Sequence, residues 1–172
     1  MVSSTVTERA ERRARRLEEL YERHAADAVR LAYLVTSDRE MARDIAQDAF
    51  VRVAGRFRHL RYPDAFDAYL RRTVVNLCLS HFRHERVERE YRQREAAMSE
   101  GITRQPELET RDELRRALGR LPARQRAAIV LRYYEDLSEE TVAAAMGCSV
   151  PAARSLVSRG METLRTIVRS ER

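Results

Sequence analysis

The chain has 172 residues, a net charge of +6 and a pI near 9.9, with 35% charged and 44% hydrophobic residues. Five glycines and four prolines are too few for a turn-rich β architecture, and Ala, Leu, Arg and Glu favour helix. No stretch approaches the 18 uninterrupted apolar residues of a membrane span, and Met1–Arg16 lacks the apolar core of a signal peptide.

Residues 1–14 are polar and arginine-rich, the pattern of a frayed tail. From Leu17 an apolar stripe runs through Leu20, Tyr21, His24, Ala28, Leu31 and Val35 at helical spacing. Ser37 with Glu40 forms a capping-box pattern, so a second helix is expected from about Asp38, with Met41, Ala42, Ile45, Ala49 and Val53 inward and Gly55 closing it. A basic loop follows, in which Phe57, His59 and Tyr62 alternate with Arg56, Arg58 and Arg61 before Pro63. Asp64 can cap a third helix over residues 65 to about 90.

Residues 92–110 lose this periodicity and read as a polar linker. Helical pattern returns at residue 110 or 111 and breaks at Pro122, and residues 123–134 form a compact apolar helix. Ser138 caps the next helix, Gly147 suits its left-handed end, and Ser149 caps the last. The expected fold is all-α: a helical bundle over 15–91 and a helix-turn-helix module over 111–169, joined by the linker.

Three surfaces carry candidate chemistry. On the third helix Tyr69, Arg72, Ser80 and Arg83 lie within about 40° of Asn76 on a helical wheel, opposite Leu70, Val74 and Leu77. An aromatic ring, an amide, a hydroxyl and two guanidiniums on one face suit stacking, edge recognition and phosphate binding. The loop residues Arg58, Arg61, Tyr62 and Asp64 adjoin that face, with Phe57 and Phe66 read as core. On the last helix Arg154, Ser155, Ser158 and Arg159 lie opposite Ala153, Val157, Gly160 and Leu164, an arrangement that fits a major groove.

Asp44, Gln47 and Asp48 share a face of the second helix, where acid would repel phosphate. A protein partner with a basic surface explains them, as does local pairing of Asp48 with Arg52. Cys78, His81 and His84 lack a fourth ligand nearby for structural zinc, and His81 falls on the core side. No catalytic set stands out, so neither an enzyme nor a cofactor is expected. Widely spaced Cys78 and Cys148 fit a reducing cytoplasm better than a disulfide framework.

Taken together, these segments resemble the extracytoplasmic-function (ECF) group of bacterial sigma factors. The stretch Ser37–Val53 resembles the family's core-polymerase contact, and Ala68–Ser80 its promoter-melting helix. Leu121–Ser138 with Gly147–Ser149 onward resembles its fourth conserved region.

The resemblance implies that Asp44, Gln47 and Asp48 meet the clamp helices of the largest polymerase subunit, and that the second module meets the flap of the second largest. It implies a minus-ten site at Arg58, Arg61, Tyr62, Asp64, Tyr69, Arg72, Asn76, Ser80 and Arg83. The minus-thirty-five site would be at Ser149, Arg154, Ser155, Ser158 and Arg159. An anti-sigma partner is also implied. Departures are Tyr69 where many members have Trp, Ser80 where many have Asp, and Ala152, Ala153 and Leu156 in the recognition helix. The competing reading is a stand-alone, dimeric helix-turn-helix regulator.

Overall fold

The computed structural model describes residues 2–56, 65–95 and 111–170. Among them every regular element is helical: α1 (Val2–Thr36), α2 (Arg39–Arg56), α3 (Ala65–Glu95), α4 (Arg111–Gly119), α5 (Ala123–Ile129), α6 (Glu139–Met146) and α7 (Val150–Ser170). Five residues, Val130–Tyr134, continue α5 as a π turn, in which Glu135 N–H reaches back to Val130 O at 3.0 Å. Such turns often mark functional positions.

Helix α1 begins at Val2, so the segment whose polarity suggested a frayed tail is helical from its second residue. Its Arg, Glu and Ala are good helix formers, and Arg15 lies 3.9 Å from Glu11 one turn away. The junction after α1 also differs from the capping-box expectation. Asp38, not Ser37, caps α2: its Oδ1 accepts from Glu40 N–H at 2.9 Å and Met41 N–H at 3.1 Å. Ser37 takes a left-handed φ of 61° and its N–H still bonds to Tyr33 O, so it terminates α1 instead of starting α2. Helix α2 runs through Gly55 to Arg56, and α3 extends to Glu95, past its expected end.

Helices α1, α2 and α3 pack on one another around Val35, Val53, Phe66, Val74 and Val75, all at or below 1% exposure. Tyr21 is exposed but places its ring edge-on to Phe50 at 4.9 Å. Phe66 is core, as read from sequence; the loop residues Phe57, Arg58, Arg61, Tyr62 and Asp64, and residues 96–110 of the expected linker, lie outside the described residues.

In the C-terminal module α7 packs against α5 and α6. Gly160 permits the close approach: a Cβ there would sit 2.7 Å from Ile129 Cδ1. The two modules are not separate bodies. Helix α6 packs on α3, and one continuous buried cluster joins Cys78 and Leu79 to Ala127, Leu131 and Val142. Burial pushes the Cys78 thiol up to about 12.

Candidate nucleic-acid interface

Helices α2 and α3 diverge to leave an open groove of about 880 Å³. All five residues expected on the α3 readout face line it: Tyr69, Arg72, Asn76, Ser80 and Arg83. They gather there because buried Leu70, Val74 and Cys78 hold the other side of the helix in the core. Among the described residues, no side chain bonds to Arg72, Asn76, Ser80 or Arg83, so their donors and acceptors are available.

The opposite wall comes from α2, where the sequence offered Arg52 only as a local partner for Asp48 and placed Arg56 in the basic loop that follows. Arg52 and Arg56 line the groove with Val51 and Gly55. The Arg56 guanidinium donates to Tyr69 Oη and lies 6.0 Å from the centre of that ring. The groove thus carries four guanidiniums and no carboxylate among its described lining residues. A weak signal was present: Arg52 and Arg56 are one turn apart, beside inward-facing Ile45 and Ala49.

Asp44, Gln47 and Asp48 are exposed on α2 and do not line the groove. Among the described residues neither aspartate is ion-paired, and Arg52 faces the groove. Local Asp48–Arg52 pairing therefore does not account for the acidic face. Among the described elements α2 packs chiefly on α1 and α3, with this face exposed.

In the helix-turn-helix, Ser138 Oγ accepts from Thr141 N–H, and Gly147 closes α6 at a φ of 62°. Ser149 Oγ accepts from Ala152 N–H at 3.4 Å, which places it as the cap of α7. Arg154, Ser158 and Arg159 are exposed and Ser155 is partly buried. The guanidinium of Arg159 bonds to Ser155 Oγ at 2.8 Å, and that of Arg154 to Glu139. Leu156 packs against the core, consistent with its apolar character.

His81 lies 3.3 Å from Glu85, and among the described residues no cluster of three His, Cys, Asp or Glu side chains could hold a metal ion. No described helix is long and apolar enough to cross a membrane.

A four-arginine groove on one helical bundle and a capped helix-turn-helix on another define a two-module, all-α nucleic-acid-binding protein. Residues 20–88 match the family model for Sigma-70 region 2, and residues 111–164 that for Sigma-70, region 4. The chain belongs to the ECF RNA polymerase sigma factors.

It is 31% identical over 150 residues to the RNA polymerase sigma-E factor of Streptomyces coelicolor, covering 86% of this chain and 83% of that protein. It is 32% identical over 158 residues to the ECF RNA polymerase sigma factor SigM of Mycobacterium tuberculosis, covering 88% and 76%. With SigE of Mycolicibacterium smegmatis the identity is 34% over 161 residues, and the match spans 60% of that longer protein. Its fold is similar to that of the sigma factor RpoE of Bartonella quintana in complex with the anti-sigma factor NepR. That match has a TM-score of 0.70 and 23% identity, covering 90% of this chain and 98% of the other. It is also similar to CnrH in complex with the cytosolic domain of CnrY, with a TM-score of 0.65 and 24% identity, covering 92% and 91%.

Proposed function

We propose that this chain is a cytoplasmic sigma subunit that binds core RNA polymerase and directs promoter recognition and melting, with no catalytic step of its own. The observation that carries this reading is the groove between α2 and α3, beside an unpaired acidic face on the same bundle. Region 2, over 15–91, holds the unpaired strand of the minus-ten element. Bases stack on Tyr69, Asn76 and Ser80 read their edges, and Arg52, Arg56, Arg72 and Arg83 hold phosphates. Arg58, Arg61, Tyr62 and Asp64 extend that contact.

Asp44, Gln47 and Asp48 dock on the basic clamp helices of the largest polymerase subunit. Region 4, over 111–169, meets the flap of the second largest subunit and sets α7 in the major groove at the minus-thirty-five element. There Arg154, Ser158 and Arg159 make the principal contacts, with Ser149 and Ser155 at the helix start. An anti-sigma protein binds the chain, a partner class that the complex of the sigma factor RpoE with the anti-sigma factor NepR supports.

The test is reconstitution with core polymerase and promoter fragments selected from the source genome. Specific initiation supports the reading; tight operator binding as a dimer, without initiation, favours a stand-alone regulator.

A further inference from the structure

We infer that the two guanidiniums on the readout face of α7 have different targets: Arg154, held in place by Glu139, reads the edge of a guanine, whereas Arg159 holds a phosphate. The inference deepens the reading of region 4 and rests on it only for the name of the DNA element.

The difference lies in what each guanidinium already touches. Arg154 turns one edge, Nε and Nη2, to a single Glu139 oxygen at 2.9 and 2.6 Å. Its other edge, one N–H on Nη1 and one on Nη2, has no partner among the described residues. Those two donors form the fork that matches the O6 and N7 acceptors of guanine in the major groove. Adenine carries an amino group where guanine has O6, so there a donor would meet a donor. Arg154 stands near the start of α7, the part of a recognition helix that reaches base edges.

Charge separates a base from a phosphate as the target. With the Glu139 carboxylate against it, Arg154 belongs to a pair of nearly zero net charge, and that carboxylate repels a phosphate brought to the same point. A guanine edge has no net charge to repel. Arg159 differs: its Nε and Nη2 donate to Ser155 O and Oγ at 3.3 and 2.8 Å, both neutral acceptors, so its charge is left uncompensated there. It also lies about 140° around the helix from Arg154, turned away from the bases that Arg154 faces.

Glu139 is then a positioning residue. Immobilising a long side chain on binding opposes association, and Glu139 fixes Arg154 before DNA arrives. It can do so because it opens the first turn of α6, whose start is set by the Ser138 cap. The pair stays accessible, with the Arg154 side chain 67% and that of Glu139 35% exposed.

The test measures binding of holoenzyme, assembled from core polymerase and the full-length chain, to a selected promoter fragment. If no fragment supports initiation, duplex selected by the chain alone takes its place. Exchanging G·C for A·T at one pair of the element that α7 meets should weaken wild-type binding about 5- to 150-fold. 7-Deazaguanine at that position, which lacks the N7 acceptor, should reproduce part of the loss. Arg154→Ala should abolish the discrimination and leave the salt dependence nearly unchanged. Glu139→Ala should cut it about 2- to 12-fold, while binding to unrelated duplex strengthens and its salt slope steepens by about 0.9. Glu139→Gln keeps an acceptor at the same reach and should recover most of the discrimination. Arg159→Ala should weaken all sequences alike and flatten the slope by about 0.9.

Undiminished discrimination in Arg154→Ala, or uniform weakening with a flatter slope, overturns the guanine contact. Full discrimination in Glu139→Ala overturns the positioning role, and a loss confined to one base pair in Arg159→Ala overturns the division between the two arginines. Failure to initiate counts against the sigma reading alone, since discrimination is read from binding.

Discussion

The guanidinium of Arg154 donates through Nε and Nη2 to the same Glu139 oxygen, at 2.9 and 2.6 Å, and so ties the recognition helix α7 to the first turn of α6. The hydrogen bond from Arg154 holds the Glu139 carboxyl below the usual carboxylate range, and the same contact raises the pKa of Arg154. A carboxylate whose folded pKa is depressed contributes stability above its unfolded value of about 4.3. That contribution is lost as pH falls through the folded value. Glu139→Gln should therefore flatten the acid-induced fall in melting temperature below about pH 5. An unchanged acid limb would show that the pair contributes nothing to the fold.

The acidic face of α2 should be separable from the fold. Asp44→Arg with Asp48→Arg changes only exposed positions, so helicity and melting temperature should hold. Association with core polymerase, measured by competition against the wild type, should weaken about tenfold or more. Undiminished association would place the contact elsewhere.

Tyr69 has two jobs in the groove, a ring for stacking and a hydroxyl that accepts from Arg56. Base–aromatic stacking is worth about 1–3 kcal/mol per base. Tyr69→Ala should thus weaken binding of a single-stranded minus-ten oligonucleotide by about 5- to 150-fold. Tyr69→Phe keeps the ring and should retain most of the affinity. Equal losses in the two variants would mean that the hydroxyl, not stacking, dominates.

Gly160 should tolerate little. Alanine there gains about 1 kcal/mol of helix propensity, but its Cβ meets Ile129 Cδ1 at 2.7 Å and Gln125 Cβ at 3.3 Å. Gly160→Val adds two more methyl groups at the same point, and overpacking of this kind costs about 1–3 kcal/mol. Chemical denaturation should rank wild type above Gly160→Val by that margin; equal midpoints would show that α5 and α7 can move apart freely.

Much of this site was legible in the residues. Helical periodicity placed Tyr69, Arg72, Asn76, Ser80 and Arg83 on one face because a single helix carries all five, and a 3.6-residue repeat needs no tertiary information. The caps at Ser138, Gly147 and Ser149 were equally local, since each satisfies backbone groups within one turn. Ser37 misled because Ser37 and Asp38 are both competent caps, and the end of α1 claimed the first of them.

What the sequence alone determined is the helical content, the two modules and most of the polar face that a nucleic acid would meet. Only the tertiary structure decided that Arg52 joins that face from a second helix, with Arg56 closing that helix instead of starting the loop, and that the Asp48–Arg52 pair does not form. It alone decided that Arg126 leaves its own module to reach Val35 O. The division has a physical cause. Periodicity and capping depend on residues a few positions apart, whereas a buried guanidinium finds its carbonyl only when helices 91 residues apart in sequence are brought together by the apolar surface they share.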